Sequence, residues 1–145
     1  MNNENTIKAL NKFLKGVHMG GTTFKDYYEK AQEEKLKEYL SEILDDFKRN
    51  EEAITHRIEK LGGNAADNVG IGGMIGEAFE KLKLLLADTD EEILDRAKKA
   101  IHMGIEQGNK FIEEHNDLEV NVMNEIKSIV NDYPKYLIKL ESINK

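Results

Sequence analysis

Apolar residues three and four positions apart recur along almost the whole chain, and this spacing is the strongest constraint on its fold. From Thr6 onward it places one set of side chains on a single helix face: Ile7, Leu10, Leu14, Val17, Gly21, Phe24, Tyr28 and Ala31. The spacing predicts a first helix from about Asn3 to about Gln32. The pattern continues through Gly20 and Gly21, so we expect another helix to cross closely there.

A second stripe restarts at Leu36, after the polar turn Glu33-Glu34-Lys35. It ends at Leu61, because Gly62-Gly63-Asn64 is typical of a helix C-terminus that is closed by a glycine in the left-handed backbone conformation. A connection this short forces the first two helices to be antiparallel. The first half of the chain is therefore predicted to be a helical hairpin.

The second half repeats this plan. A cap within Asp88 to Glu92 opens a third helix that finishes near Glu114. Asn116-Asp117 offers the cap of a fourth helix, which continues to the C-terminus with a kink at Pro134. Glycines 104 and 108 are expected to match the close helix crossing of the first hairpin.

A repeated motif indicates that the two hairpins are duplicates. His18-Met19-Gly20 recurs as His102-Met103-Gly104, an offset of 102 − 18 = 84 residues. Between the hairpins, the glycine-rich segment from Gly62 to Gly73 and a short amphipathic helix from Met74 to Ala87 form a long crossover. The predicted fold is all-α: a ferritin-like four-helix bundle of two antiparallel hairpins, joined by a crossover containing a short fifth helix, in a single domain of residues 1–145.

Composition excludes several function classes. The net charge of −7 disfavours a nucleic-acid partner, because phosphates would meet repulsion. No apolar run is long enough to span a bilayer, so no membrane insertion is expected. The absence of cysteine excludes disulfides, thiolate metal sites and cysteine nucleophiles. We expect a cytoplasmic protein.

Ferritin-like bundles commonly bind two metal ions through glutamates and Glu-x-x-His pairs. That spacing is missing from the second and fourth predicted helices, and the fourth has no histidine. His56 lies four residues after Glu52, a spacing that suits either a metal or an exposed polar pair. Glu51 shares the stripe of Phe47 and Ile54, so it is an inward functional carboxylate, an interhelical hydrogen-bond partner or a boundary residue.

The remaining histidines flank the apolar stripes or end a helix. A two-fold relation between the hairpins would place His18 and His102 near each other or at equivalent boundary sites, where each binds a metal or proton or simply bonds a neighbouring acceptor. His115 is expected to cap the negative end of the third helix. The cluster of Phe24, Tyr27 and Tyr28 is either a pocket wall or core packing.

The order of these motifs resembles a bacterial family of ferritin-like four-helix-bundle proteins filed as a domain of unknown function. The resemblance rests on the mid-helix His18-Met19-Gly20, on Leu61-Gly62-Gly63 closing the second helix, and on the acidic opening of the third helix at Asp88 to Glu92. Usual members have aspartate after that histidine and often proline after the paired glycines, whereas this chain has Met19 and Asn64-Ala65. The family implies a helical bundle without an established reaction.

Two hypotheses for function follow, beside a third possibility of a small-molecule binder that uses the space next to Gly20 and Gly21. The first is a non-enzymatic bundle, with no cofactor expected, that self-associates as a homo-oligomer or binds a protein partner. It is motivated by the missing ligand motif and by surplus leucines at positions 82, 84, 85 and 86. The rival is a degenerate metal site with iron-storage or redox activity that uses iron, manganese or zinc. Its candidate ligands are His18, Glu51, His56, His102 and Glu106.

Overall fold

The structure is a computed structural model that describes residues 3–66 and 89–143. Within these ranges the chain forms α-helices and no strand. The helices are α1 (Asn3–Lys30), α2 (Glu34–Lys60), α3 (Asp90–Glu114) and α4 (Val120–Glu141). An all-α fold of four long helices is therefore confirmed for the described residues. The predicted short helix from Met74 to Ala87, with most of the crossover, lies outside them.

The ends of α2 follow the predicted chemistry. At its start the Glu33 carboxylate accepts hydrogen bonds from the backbone N–H groups of Lys35 and Leu36, which have no partner within the helix. At its end Leu61 caps the helix and Gly62 has a φ of 89°, a left-handed conformation that glycine adopts without a steric penalty. The predicted stop after Leu61 is confirmed.

The start of α3 is fixed by two sets of hydrogen bonds. Thr89 and Glu92 form a reciprocal capping box, within the segment where the sequence predicted a cap. The Asp90 carboxylate accepts hydrogen bonds from the backbone N–H groups of Gln32, at 2.9 Å, and Glu33, at 2.8 Å. These bonds place the start of α3 beside the α1–α2 turn, so α1 and α3 run in opposite directions.

The predicted start of α4 was wrong by a few residues. Glu119 caps the helix, where Asn116-Asp117 had been expected, and its carboxylate accepts a hydrogen bond from the Asn121 backbone N–H. The physical reason is the burial of Leu118, which holds the preceding residues in a turn. The helix then continues through Pro134 and ends at Glu141.

Glycines bring helices together inside each hairpin. A Cβ on Gly20 would lie 2.6 Å from Cε1 of Phe47, and a Cβ on Gly108 would lie 2.7 Å from Cγ2 of Val130. The contact of Gly20 with Phe47 in the first hairpin has a looser counterpart in the second, where a Cβ on Gly104 would lie 3.6 Å from the Tyr133 ring. The predicted close crossings are confirmed.

The core joins the two hairpins at their aromatic centre. Phe47 of α2 stacks on Phe24 of α1 at 5.6 Å between ring centroids and lies 5.8 Å from Tyr133 of α4. Phe24 is buried in this core, while Tyr28 is half-buried beneath the Lys37 ammonium. Each hairpin packs more extensively within itself than against the other.

Polar contacts, in addition to aromatic ones, connect α2 to α4. Arg57 pairs with Glu125 at 3.1 Å, and the Tyr136 hydroxyl donates to Asp46 at 2.8 Å. Lys139 pairs with Glu42 nearer the other end. No helix among the described residues is both long enough and apolar enough to cross a membrane.

Candidate functional site

His18 is the polar centre of the first hairpin. Its Nδ1 lies 2.9 Å from Oε2 of Glu51 on α2, and its Nε2 lies 3.1 Å from the backbone carbonyl of Ala66. The imidazole side chain is 11 % exposed and the Glu51 side chain 38 %. The structure therefore places Glu51 between the buried and the exposed face of α2 and pairs it with a residue of another helix. An interhelical hydrogen bond was one of the predicted alternatives.

This arrangement occupies both ring nitrogens of His18. A carbonyl oxygen only accepts, so Nε2–H donates to Ala66, while Nδ1 faces the Glu51 carboxylate. His18 therefore connects α1, α2 and the segment that follows α2 into one unit.

Asn11 strengthens the same connection. Its side-chain oxygen accepts from the backbone N–H of Ala66 at 2.7 Å, and its Nδ2 donates to the Asn64 carbonyl at 3.0 Å. Gly63 packs against Ile7, where a Cβ would lie 2.7 Å from the Ile7 side chain. The chain after α2 is thus held along α1 over several turns.

The other candidate ligands do not join this pair. His56 is exposed on α2, as is Glu52, which agrees with the predicted exposed polar pair. His102 is exposed on α3, and Glu106 lies exposed one turn further along. Among residues 3–66 and 89–143 no group of three or more His, Cys, Asp and Glu is arranged to bind a metal ion.

His115 stands where the sequence placed it, at the C-terminal end of α3. Its Nδ1–H donates to the Phe111 carbonyl at 2.9 Å, and its ring stacks on the Phe111 ring with 4.1 Å between centroids. The last turn of a helix leaves carbonyl groups without partners, and this bond satisfies one of them.

A groove lies between α1 and α3, and we call it the α1–α3 groove. Its volume is about 780 Å³. The floor is apolar and mostly aromatic, with Phe13, Phe24, Phe47, Phe111 and Tyr133, and methionines 19 and 103 also line it. Pockets of this size with apolar walls are typical of ligand sites.

Glycine accounts for the opening. Gly16 and Gly104 line the groove, and a Cβ on Gly16 would meet no atom within 4 Å. Gly16 is therefore present without a packing contact that requires it. The absence of a side chain there leaves space in the wall of the groove.

Charged side chains surround the mouth of the groove. Lys8, Lys12 and Lys15 come from α1, and Lys110 comes from α3, together with Glu106 and Glu114. None of the four lysines forms an ion pair with a carboxylate in the described ranges. In a chain of net charge −7, the mouth carries more positive than negative groups.

Buried tyrosines lie near the aromatic floor. Burial raises the pKa of the Tyr27 hydroxyl to about 12, and burial likewise raises the pKa of Tyr133 and Tyr136 above the usual range of a tyrosine. The Tyr27 hydroxyl has no hydrogen-bond partner among the described residues. These phenols therefore stay protonated at neutral pH and act as apolar packing with a polar tip.

Sequence reasoning raised a pocket wall at Phe24 and a small-molecule site beside Gly20 and Gly21, but it did not locate the α1–α3 groove. It interpreted the glycines at 20, 104 and 108 as sites of close helix approach and assigned no role to Gly16. The available signal was the repeated spacing of four between glycines, 16 with 20 and 104 with 108, combined with lysines at 8, 12 and 15 on the adjacent helix face.

Comparison with known proteins gives a family and a fold. The family model described as "Domain of unknown function (DUF2383)" matches residues 5–114. No curated protein matches this chain. The solved structure described as "YcfI, a putative structural protein from Rhodopseudomonas palustris" is similar, with a TM-score of 0.73 and 18 % identity, covering 100 % of this chain and 96 % of that chain. At this identity the likeness shows a shared fold alone.

Proposed function

We propose that this chain, which belongs to the DUF2383 family, is a non-enzymatic ferritin-like bundle that acts by binding a partner in the α1–α3 groove. The observation that carries the proposal is the groove itself, a cavity of about 780 Å³ with an apolar and mostly aromatic lining between two hairpins that are each well packed. Pockets of this size with apolar walls usually mark binding sites.

The direction of the helices supports the ferritin-like part of the proposal. Asp90 holds the start of α3 beside the α1–α2 turn, whereas Gly63 at the end of α2 packs on Ile7 near the start of α1. The chain therefore leaves the first hairpin near one end of α1 and enters the second hairpin near the other. A long connection of this kind characterises ferritin-like wiring.

The chemistry around His18 supports a role without catalysis. A general base or a metal ligand needs a free lone pair, and both nitrogens of this imidazole are engaged by Glu51 and Ala66. His18 therefore acts as a structural connection.

Nile red, a neutral apolar fluorophore, tests the binding proposal. Its emission is expected to increase and shift to shorter wavelength with the full-length chain, and Gly16→Phe is expected to abolish most of this change. The new ring at Gly16 enters open space, so it fills the groove without a clash in the helix. Asn131→Phe, which adds the same ring at an exposed position of α4, is the matched control. Equal dye binding by both variants would contradict the proposal.

Self-association is a second part of the proposal. It derives from the leucines at 82, 84, 85 and 86, which lie outside the described residues, so it rests on sequence alone. Sedimentation equilibrium over a wide range of concentrations is expected to show a mass above 16.6 kDa that increases with concentration. A constant monomer mass would remove this part while leaving the groove proposal standing.

One observation favours the rival metal site as a second candidate. The structure brings His18 and Glu51 together, two of the five candidate ligands. A metal there would have to replace the bond from His18 to Glu51 or to Ala66. Iron, manganese and zinc are each expected to leave the melting temperature unchanged if our proposal is correct. A rise that His18→Ala removes and His56→Ala preserves would favour the metal site.

A further inference from the structure

The α1–α3 groove combines two features that together define a class of ligand. Its floor is aromatic and apolar, and its mouth is surrounded by lysines. An apolar ligand without charge would use only the floor, and a small inorganic anion would use only the mouth. We infer that the groove binds an amphiphilic anion, a chain-like apolar molecule that ends in a carboxylate. This inference rests on the proposed function of the groove.

The position of the lysines supports an anionic end group. Lys12 on α1 and Lys110 on α3 line the same groove from opposite helices, near the level where Phe13 packs on Phe111 at 5.2 Å. Both side chains are exposed, and neither ammonium group is paired with a carboxylate of residues 3–66 or 89–143. A ligand carboxylate at this level of the groove can therefore meet positive groups from both helices.

The two glutamates at the mouth of the groove do not remove its preference for an anion. Glu106 and Glu114 lie on α3, one turn before and one turn after Lys110. Lys8 and Lys15 add two further positive groups from α1, so the four lysines outnumber the two glutamates. The excess is positive in a chain that is otherwise acidic, and the mouth therefore favours an anion over a cation.

The shape of the groove supports an extended chain. Its lining on α1 extends from Lys8 to Phe24, a difference of sixteen positions, which corresponds to about 24 Å at roughly 1.5 Å per residue. The open space at Gly16 lies midway along this length. A compact ring system would leave much of the floor exposed, whereas a flexible hydrocarbon chain covers it.

Three ligands of equal chain length test the inference, with bound Nile red as the probe. Decanoate is expected to displace the dye at a concentration roughly 10-fold below that required for 1-decanol, because charge-assisted contacts with lysine add to the same apolar burial. Decylammonium is expected to be weaker than decanoate for the opposite reason. High salt is expected to weaken decanoate and leave decanol unchanged.

Two double variants identify the residues. Lys12→Gln with Lys110→Gln is expected to weaken decanoate about 5-fold and to leave decanol unaffected, since each exposed ion pair contributes a small amount. Lys99→Gln with Lys127→Gln alters the net charge equally at exposed positions away from the groove and is the control. The outcomes separate the two proposals. Failure of the wild-type chain to bind Nile red would overturn groove binding itself. Dye binding without preference for decanoate, or with equal effects of both double variants, would overturn only the anionic class.

Discussion

Alanine at Gly108 is expected to destabilise the bundle, whereas alanine at Gly16 is expected to stabilise it. Both glycines lie inside helices, where glycine costs about 1 kcal/mol relative to alanine. They differ in surroundings: a Cβ at Gly16 meets nothing within 4 Å, but a Cβ at Gly108 would lie 2.7 Å and 2.9 Å from the two methyl groups of Val130. Valine is stiff at χ1 and buried here, so it cannot rotate away at low cost.

The magnitudes follow from two opposing terms. At Gly16 only the helix term changes, so alanine is expected to raise the free energy of unfolding by about 0.5–1 kcal/mol. At Gly108 the same gain is opposed by overpacking, which costs typically about 1–3 kcal/mol. The difference between the two variants is therefore expected to be about 1–3 kcal/mol. Urea unfolding followed by helical circular dichroism measures it directly.

A double-mutant cycle separates the clash from other effects. Val130→Ala removes the two methyl groups, so adding Gly108→Ala to that background is expected to cost less than in the wild-type chain, with a coupling of at least about 1 kcal/mol. A free energy of unfolding for Gly108→Ala equal to that of Gly16→Ala, or a coupling near zero, would contradict the close contact between Gly108 and Val130.

Three other perturbations follow from the structure. Tyr27→Phe removes a buried hydroxyl that has no partner among the described residues, so we expect slightly higher stability at neutral pH. Burial raises the pKa of Tyr27 from 10.0 to about 12 in the folded state, so the free energy of unfolding is expected to fall as pH rises between these values, and to fall less in the variant. Identical alkaline unfolding profiles of the two proteins would contradict this pH dependence. Asp90→Ala leaves two backbone N–H groups of the α1–α2 turn without their acceptor. It is expected to lower the free energy of unfolding in urea by about 1–3 kcal/mol. An unchanged free energy of unfolding would show that other contacts hold α3 at the turn. A cycle of His18→Ala and Glu51→Ala is expected to give a coupling of about 0.5–1 kcal/mol, and additive effects would exclude the connection between α1 and α2.

Local chemistry explains which parts of the fold were predictable. The end of α2 at Leu61 and the capping box at Thr89 depend on residues within four positions of the helix end, so the sequence contains the whole signal. The start of α4 does not, because it depends on the burial of Leu118 in the core, which the residues next to the helix end do not specify. Tertiary burial there overrode the better cap at Asn116-Asp117.

The candidate site was predictable only in part, for the same reason. The sequence placed His18 on the flank of its apolar stripe and offered an interhelical hydrogen bond as one alternative for Glu51. The second acceptor of His18, however, belongs to Ala66, whose position depends on the path of the chain after α2. The groove depends on the distance between α1 and α3, which no helical pattern specifies. The sequence therefore assigned no role to Gly16, whose surroundings only the structure shows.

Backbone amide NMR of the full-length chain, titrated with decanoate, tests most directly the claim that this protein acts through the α1–α3 groove. The amides of Gly16 and Gly104, which line the groove from opposite helices, are predicted to shift together and to saturate, while the amide of Gly62 at the end of α2 stays in place. Saturable shifts centred elsewhere, with Gly16 and Gly104 unchanged, would contradict the account.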